Sequence, residues 1–409
     1  MHLSSLLLGA IAATAVSAHP GHDIRAEHAE RQAILDLVGR SDYGRCADKL
    51  KARGVEARAV ARREELAKKM MKKRNLEARS IYARGTHQSN STFTLQTPVA
   101  DIFASTDFCF LSPEVTEGPY YVAGEYIRED ITEDQAGVDL ALDLQVYDVE
   151  TCEPVPNVYL EIWHCNTTGV YSGVSAGGNG NGDASNLNAT FLRGLQQTDA
   201  DGIAQFETLF PGHYTGRTNH IHVMVHVDPT VFPNNTIQSN TASHVGQIYF
   251  DQDLITEVEA EPVYNTNTQP HTLNAEDMLF QQGSQVGDPV VNYVYLGSAV
   301  SEGLLGWIGF GINTTLARTV SAAATLYESG GVANPNAGGP GGGGPGGPPS
   351  GGFPSGFPTG GFPGGGGGFP TGVRPTASAS SSSSAVAAPA SSASVSAPAC
   401  KAKVPPAKN

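Results

Sequence analysis

Two histidines and a tyrosine fall within nine residues of this chain: Tyr214, His220 and His222, in Pro211-Gly212-His213-Tyr214-Thr215-Gly216-Arg217-Thr218-Asn219-His220-Ile221-His222-Val223. An extended strand alternates its side chains between two faces, so His220 and His222 point one way and Ile221 points into a core. Two imidazoles side by side on one face can hold a metal ion. The tyrosine at the mouth of the preceding turn adds a rarer donor. A phenol with an ordinary pKa of about 10 stays ionised at neutral pH only beside a strongly Lewis-acidic cation. Ferric iron is the obvious candidate, because the run has none of the thiolates that suggest zinc or copper(I). The same run also reads as part of an ordinary sandwich: Asp199-Ala200-Asp201-Gly202, then Phe206, Leu209 and Pro211-Gly212, form a turn, a strand and a second turn.

A second segment upstream decides between these readings. Leu160-Glu161-Ile162-Trp163-His164-Cys165-Asn166-Thr167-Thr168-Gly169-Val170-Tyr171-Ser172-Gly173 ends a strand, turns, and presents another tyrosine. With both segments the chain resembles the intradiol ring-cleavage dioxygenases. These non-haem Fe(III) enzymes use O2 to open catechol rings between the two hydroxyl-bearing carbons, giving cis,cis-muconate-type products. The resemblance implies one ferric ion per chain, held by Tyr171 (which completes a Trp-His-x-Asn-x-x-Gly-x-Tyr pattern), Tyr214, His220 and His222. It further implies that Tyr214 takes a substrate proton and that Arg217, three residues before the first histidine, steadies negative charge on the substrate. Gln247, opening Gln247-Ile248-Tyr249-Phe250, would orient that region, and Glu117-Gly118-Pro119-Tyr120-Tyr121 would form the entrance, with Tyr120 against the substrate. The partners so implied are a small catecholic aromatic and O2. The resemblance runs from about Cys109 to about Asp253. The short loop between Tyr214 and His220 is unlike the bacterial catechol enzymes and similar to a secreted fungal branch. Two other classes fit parts of the pattern: a non-catalytic β-sandwich binding module on a glycosylated stalk, and a cupin-like metalloenzyme. The cupin reading leaves Tyr171 and Tyr214 without a role.

The elements that must position these residues are those of an all-β domain. Alternating runs at Asp139–Tyr147, Val158–Trp163 and Ile221–Val227, punctuated by Gly, Asn, Asp and Pro, have the rhythm of an antiparallel β-sandwich. The expected organisation is a signal peptide at 1–18, a basic helical pro-region or arm at 19–85, the intradiol-type sandwich at 86–328, and a disordered tail at 329–409. Met1–Ala18 has an apolar core and a Val16-Ser17-Ala18 end suited to cleavage, and is too short to span a bilayer. Five sequons, Asn90, Asn166, Asn188, Asn234 and Asn313, agree with a secreted glycoprotein. Residues 19–85 hold 17 of the 25 Lys and Arg but only 10 of the 40 Asp and Glu. That segment could be removed as a pro-region, clamp onto the acidic domain, or serve a homodimer contact. An acidic secreted chain is not a nucleic-acid binder. The loop Gly177–Asn188 after Tyr171 reads as a lid over the substrate or as a merely exposed loop. The Gly/Pro and then Ser/Ala-rich tail is too poor in apolar residues to fold, and reads as a spacer that associates with the cell wall or a polymer. It lacks the hydrophobic end of a lipid-anchor signal, so no membrane anchor is expected. Of the five cysteines some should pair, and the sequence leaves the pairing open.

Overall fold

The computed structural model describes residues 44–76, 103 and 117–335. The expected signal peptide, Asn90, Cys109, Cys400 and the tail beyond residue 335 lie outside them. No helix among the described residues is long and apolar enough to cross a membrane.

Eight strands build the body. In chain order they are β1 (Asp139–Asp148), β2 (Tyr159–Trp163), β3 (Arg193–Gln197), β4 (Ile203–Leu209), β5 (His220–His226), β6 (His244–Tyr249), β7 (Asn292–Tyr295) and β8 (Leu304–Ile312). One sheet has the order β6-β5-β2-β3 and is antiparallel throughout. The other, β7-β8-β1-β4, is antiparallel except where β8 runs parallel to β1. Parallel neighbours need a long connection. Here the chain completes the whole first sheet before β8 returns to pair with β1. Side-chain alternation then sorts the faces. Leu140, Leu142 and Leu144 of β1, Phe206 of β4 and Ile308 of β8 meet Leu160 and Ile162 of β2, Ile221 and Val223 of β5 and Ile248 of β6 in one buried cluster. That cluster is the filling of a sandwich.

The outer face of the second sheet is also apolar in part, and a helix covers it. After α1 (Gly44–Ala52) the chain turns at Gly54, whose φ of 64° is left-handed, and enters α2 (Val55–Lys73). Leu66, Ala67, Met70 and Met71, at helical spacing, pack on Val294, Leu305 and Trp307. The basic character of the arm is matched residue by residue. Arg58 pairs with Asp201, Lys69 with Glu129, Lys73 with Glu207, and Arg62 and Arg63 both reach the buried Asp143. Burial alone would raise the Asp143 carboxyl, but the hydrogen bond and charge of Arg62, with the charge of Arg63, hold it below its ordinary value. A Cys46–Cys152 disulfide, closing 106 residues, ties the arm to the sandwich. The described part of this segment, residues 44–76, packs on the sandwich.

The tail boundary at 328 needs correction. Two further strands, β9 (Ala324–Tyr327) and β10 (Gly330–Ala333), form a hairpin, and β9 also pairs with the short strand Val122–Ala123. Composition misled because β10 is held by backbone bonds and polar side-chain contacts, such as Gly331 N–H to Asn188 Oδ1, rather than by apolar burial.

Candidate metal centre

Antiparallel pairing places directly opposed residues on one face. Trp163 of β2, His222 of β5 and Gln247 of β6 form one row across the first sheet, and His220 and Tyr249 form the next. This is the outer face of that sheet, opposite the sandwich core. Two turns bring phenols to it. Tyr214 Oη lies 3.2 Å and Tyr171 Oη 3.5 Å from His220 Nε2, and the two tyrosine rings meet edge to face at 5.6 Å. The His220 and His222 rings are 5.0 Å apart. All four side chains are buried.

Neighbouring groups fix each donor. His220 Nδ1 is 2.6 Å from the Thr218 carbonyl, so Nδ1–H donates there and Nε2 carries the lone pair that faces the phenols. The His222 ring lies flat on Trp163, centroids 4.7 Å apart and planes within 7°. Gly118 passes over it with φ 72°, and a Cβ there would stand 3.2 Å from His222 Cε1, so the entrance loop approaches the ring closely only as glycine. Asn179 accepts from Tyr171 N–H and donates to Tyr171 O, holding the tyrosine's backbone from across the loop. Burial, then the neighbouring Tyr214, pushes the Tyr171 phenol well above its ordinary value.

Beside the four donors lies a buried polar chain. Arg217 Nη2 donates to Gln247 Oε1 at 2.6 Å and reaches Tyr249 Oη at 3.1 Å, while Tyr249 Oη donates to the same Gln247 oxygen at 2.5 Å. Arg217 Nε pairs with Asp277 Oδ2 at 2.8 Å, both side chains fully buried. Asp277 also accepts from Thr218 N–H and caps α4 (Met278–Val286) through Leu279 N–H and Phe280 N–H. One carboxylate thus joins a helix start, the ligand turn and the guanidinium.

The donor set fits a ferric ion. Two phenols and two nitrogen donors suit a hard, highly charged cation that can ionise the phenols on binding. Cys165 takes no part: its Sγ–H donates to Gly212 O, and burial pushes the thiol up.

Comparison with known proteins agrees with this geometry. Residues 116–266 match the family model described as Dioxygenase. The catechol 1,2-dioxygenase of Acinetobacter baylyi is 34% identical over 108 residues, 25% of this chain and 32% of the relative. The chain therefore spans about a third of the length of that curated relative. Among solved structures, the intradiol ring-cleavage dioxygenase from Tetranychus urticae is 32% identical over 51% of this chain and 96% of its own, with a TM-score of 0.42. The chain belongs to the intradiol ring-cleavage dioxygenases. A dioxygenase domain from Streptomyces sp. SirexAA-E is 25% identical, covering 52% of this chain and all of its own, with a TM-score of 0.32.

Within this family member, Tyr171, Tyr214, His220, His222, Arg217, Gln247 and Tyr120 all converge. Tyr120 stacks on Tyr171 at 4.6 Å and meets Tyr214 edge-on at 6.3 Å. Four contributors were not foreseen in these roles. Asp277 carries a legible signal, an aspartate at the start of the helical run Met278-Leu279-Phe280, but its contact with Arg217 spans 60 residues. Tyr249 and Trp163 stand in the sequence only as members of the quoted motifs, with no local sign of their contacts. Arg193, wholly buried, donates to Ser172 O and Tyr120 O and lies over the Tyr171 ring at 6.0 Å, so it clamps entrance and ligand turns together. Its neighbour Glu125 is 3.9 Å away, too far for a hydrogen bond, and burial pushes that carboxyl up to about 8.

The Gly177–Asn188 loop, partly exposed, is held at two points. Asn179 is buried and bonded to Tyr171 and Val174, and Asn188 is bonded to β10. Among the sequons, Asn188 and Asn234 are exposed and Asn313 is half-buried. The Asn166 amide is drawn into its own turn, accepting from Thr168 and Val170 and donating to Gln135.

Proposed function

We propose that this chain is a secreted Fe(III) dioxygenase that cleaves catechol-type rings between the hydroxyl-bearing carbons with O2, giving cis,cis-muconate-type products. The observation that carries the reading is the convergence of two phenols on His220 Nε2 beside His222. Tyr171, Tyr214, His220 and His222 would hold one ferric ion per chain. When bound, iron would supply Lewis acidity and an electron-accepting centre for a chelated catecholate.

The remaining chemistry belongs to the chain. Tyr214 Oη, on the turn that opens toward Tyr120, takes the proton released when a catechol hydroxyl ionises. Arg217, oriented by Asp277 and Gln247, presents a fixed positive charge toward the carbanion-like ring carbon and the oxygen it meets. Gln247 accepts from both Arg217 and Tyr249, so it holds the guanidinium plane rather than moving a proton. Burial excludes water that would compete for the ring. Export through a signal peptide cut after Ala18, glycans at the exposed sequons and a polymer-associating tail complete the proposal. The organic substrate is a small catechol, a class that includes hydroxyquinol and plant-derived phenols.

A visible absorption spectrum of the purified protein, before and after anaerobic addition of catechol, tests the reading. A tyrosinate-to-iron band that shifts with catechol, and O2-dependent formation of a muconate, are expected. A protein that stays colourless after ferric reconstitution would refute it and leave a sandwich-type binding module.

A further inference from the structure

A second group of metal-type ligands stands outside the tyrosine centre. His213, Glu259 and His271 each turn one ligand atom to a common point, all within 4.8 Å of one another. They come from three segments: the turn before Tyr214, the end of α3 (Gln252–Glu259), and the loop that follows it. We propose that these three residues form a separate divalent-cation site of the zinc class, which pins the ligand turn against α3 and the following loop.

The hydrogen bonds around the cluster have the arrangement that metal-bound imidazoles require. His213 Nε2 is tied to Gln269 O at 3.0 Å, which leaves Nδ1 facing Glu259 Oε1 at 2.9 Å. His271 Nε2 is tied to Asn219 Oδ1 at 3.2 Å, through the same amide that bonds Glu259. An acceptor on the far nitrogen of the His213 ring fixes the tautomer and orientation that a cation needs. Asn219 Nδ2 donates to Glu259 Oε1 at 2.7 Å and so aims the carboxylate at the same point. Two imidazoles and one carboxylate are a donor set that zinc takes, with a fourth position for water. Ligands bound to one tetrahedral zinc at about 2 Å lie about 3.3 Å apart, so the His213–Glu259 gap would widen by only a few tenths of an ångström.

The position gives the site a consequence. His213 directly precedes Tyr214, and Asn219 directly precedes His220. The loop is already laced to this turn, since Gln269 Oε1 accepts from Thr215 N–H and Asn267 Nδ2 donates to His213 O. A cation linking His271 to His213 and Glu259 closes that lacing without touching the four donors of the tyrosine centre.

Zinc(II) added to the full-length, iron-loaded protein, followed by desalting and elemental analysis, tests the site. One retained zinc per chain in addition to iron is expected, with a rise in the Tm. His271→Ala and Glu259→Gln should each lose the zinc and the Tm response while keeping iron and its visible band. The second variant preserves shape should the first fold poorly. No retained zinc, or zinc retained equally by both variants, overturns the proposal. Zinc retained only by iron-free protein, and lost in His220→Ala, also overturns it, because the ion then sits among the tyrosines. A protein without a tyrosinate band that still binds zinc through His271 and Glu259 would refute the dioxygenase reading and leave this site standing.

Discussion

Replacing Asp277 with alanine should be among the most damaging single changes outside the four donors. The side chain is fully buried, pairs with the fully buried Arg217, and accepts three backbone N–H groups. Removing the carboxylate from such an ion pair costs about 3–5 kcal/mol, since a guanidinium remains in a low-dielectric site without its counter-ion. Loss of the helix cap adds about 1 kcal/mol. Because one carboxylate serves both, and the effects overlap, about 4 kcal/mol in total is expected. For a folded unit of this size each kcal/mol lowers the Tm by about 2–4 °C, so Asp277→Ala should melt about 8–16 °C lower. Asp277→Asn keeps the cap and loses the charge, and should cost about 1 kcal/mol less. Calorimetry and urea titration on the oxidised protein measure both, with catechol turnover recorded at a temperature where each variant is folded. There the alanine variant should show a lower kcat, its Arg217 no longer being aimed. An Asp277→Ala protein within about 1 kcal/mol of the parent would refute the argument, as would one indistinguishable from Asp277→Asn.

Tyr171→Phe and Tyr214→Phe should each abolish ring cleavage and weaken or remove the tyrosinate band, measured after ferric reconstitution; an unchanged spectrum in either would exclude that phenol as a ligand. Cys46→Ser should destabilise the protein by up to about 4–5 kcal/mol, the chain-entropy value for a loop of about 100 residues, and leave the visible band in place, as read by denaturation and absorbance in parallel. Acid should destabilise through His164, whose pKa burial lowers from 6.5 to about 4. The folded state binds this proton less readily than the unfolded one, so the contribution is intact above pH 6.5 and is lost as pH falls toward 4. At 1.36 kcal/mol per pH unit this amounts to about 3 kcal/mol. Urea titrations at pH 7 and 4.5 should show most of it, and a His164→Gln variant that loses stability just as steeply would refute the assignment.

What the sequence disclosed follows from range. The strands at Asp139, Tyr159 and His220 were legible because alternation is a local signal, and His220 and His222 share a face for the same reason. Tyr171, Tyr214, Arg217 and Gln247 came from motif spacing together with family resemblance. Their supports did not, because Arg217 finds Asp277, and Tyr171 finds Arg193 and Asn179, only through the fold. The Gly177–Asn188 loop looked free on composition, yet one buried amide, that of Asn179, bonds it to Tyr171. The Cys46–Cys152 pairing could not be chosen from cysteine arithmetic; it depends on α1 lying near the end of β1. Strand β10 escaped notice because Gly330-Gly331-Val332-Ala333 carries no alternation.

The arm on the second sheet also bears on how the chain is made. Residues 55–73 leave the ribosome early, but their docking surface includes Leu305 and Trp307, which are synthesised more than two hundred residues later. Strand β8 must first slide between β7 and β1, the one parallel pairing in the sandwich. Such long-range closure is slow and leaves apolar surface exposed in the interval. Until β8 arrives, the amphipathic helix lacks the apolar surface of Leu305 and Trp307, and β1 stands with an unsatisfied edge. Truncation before residue 304 should therefore give aggregation rather than a smaller enzyme, even though the proposed iron donors and Arg217, Gln247 and Asp277 all lie upstream of the cut.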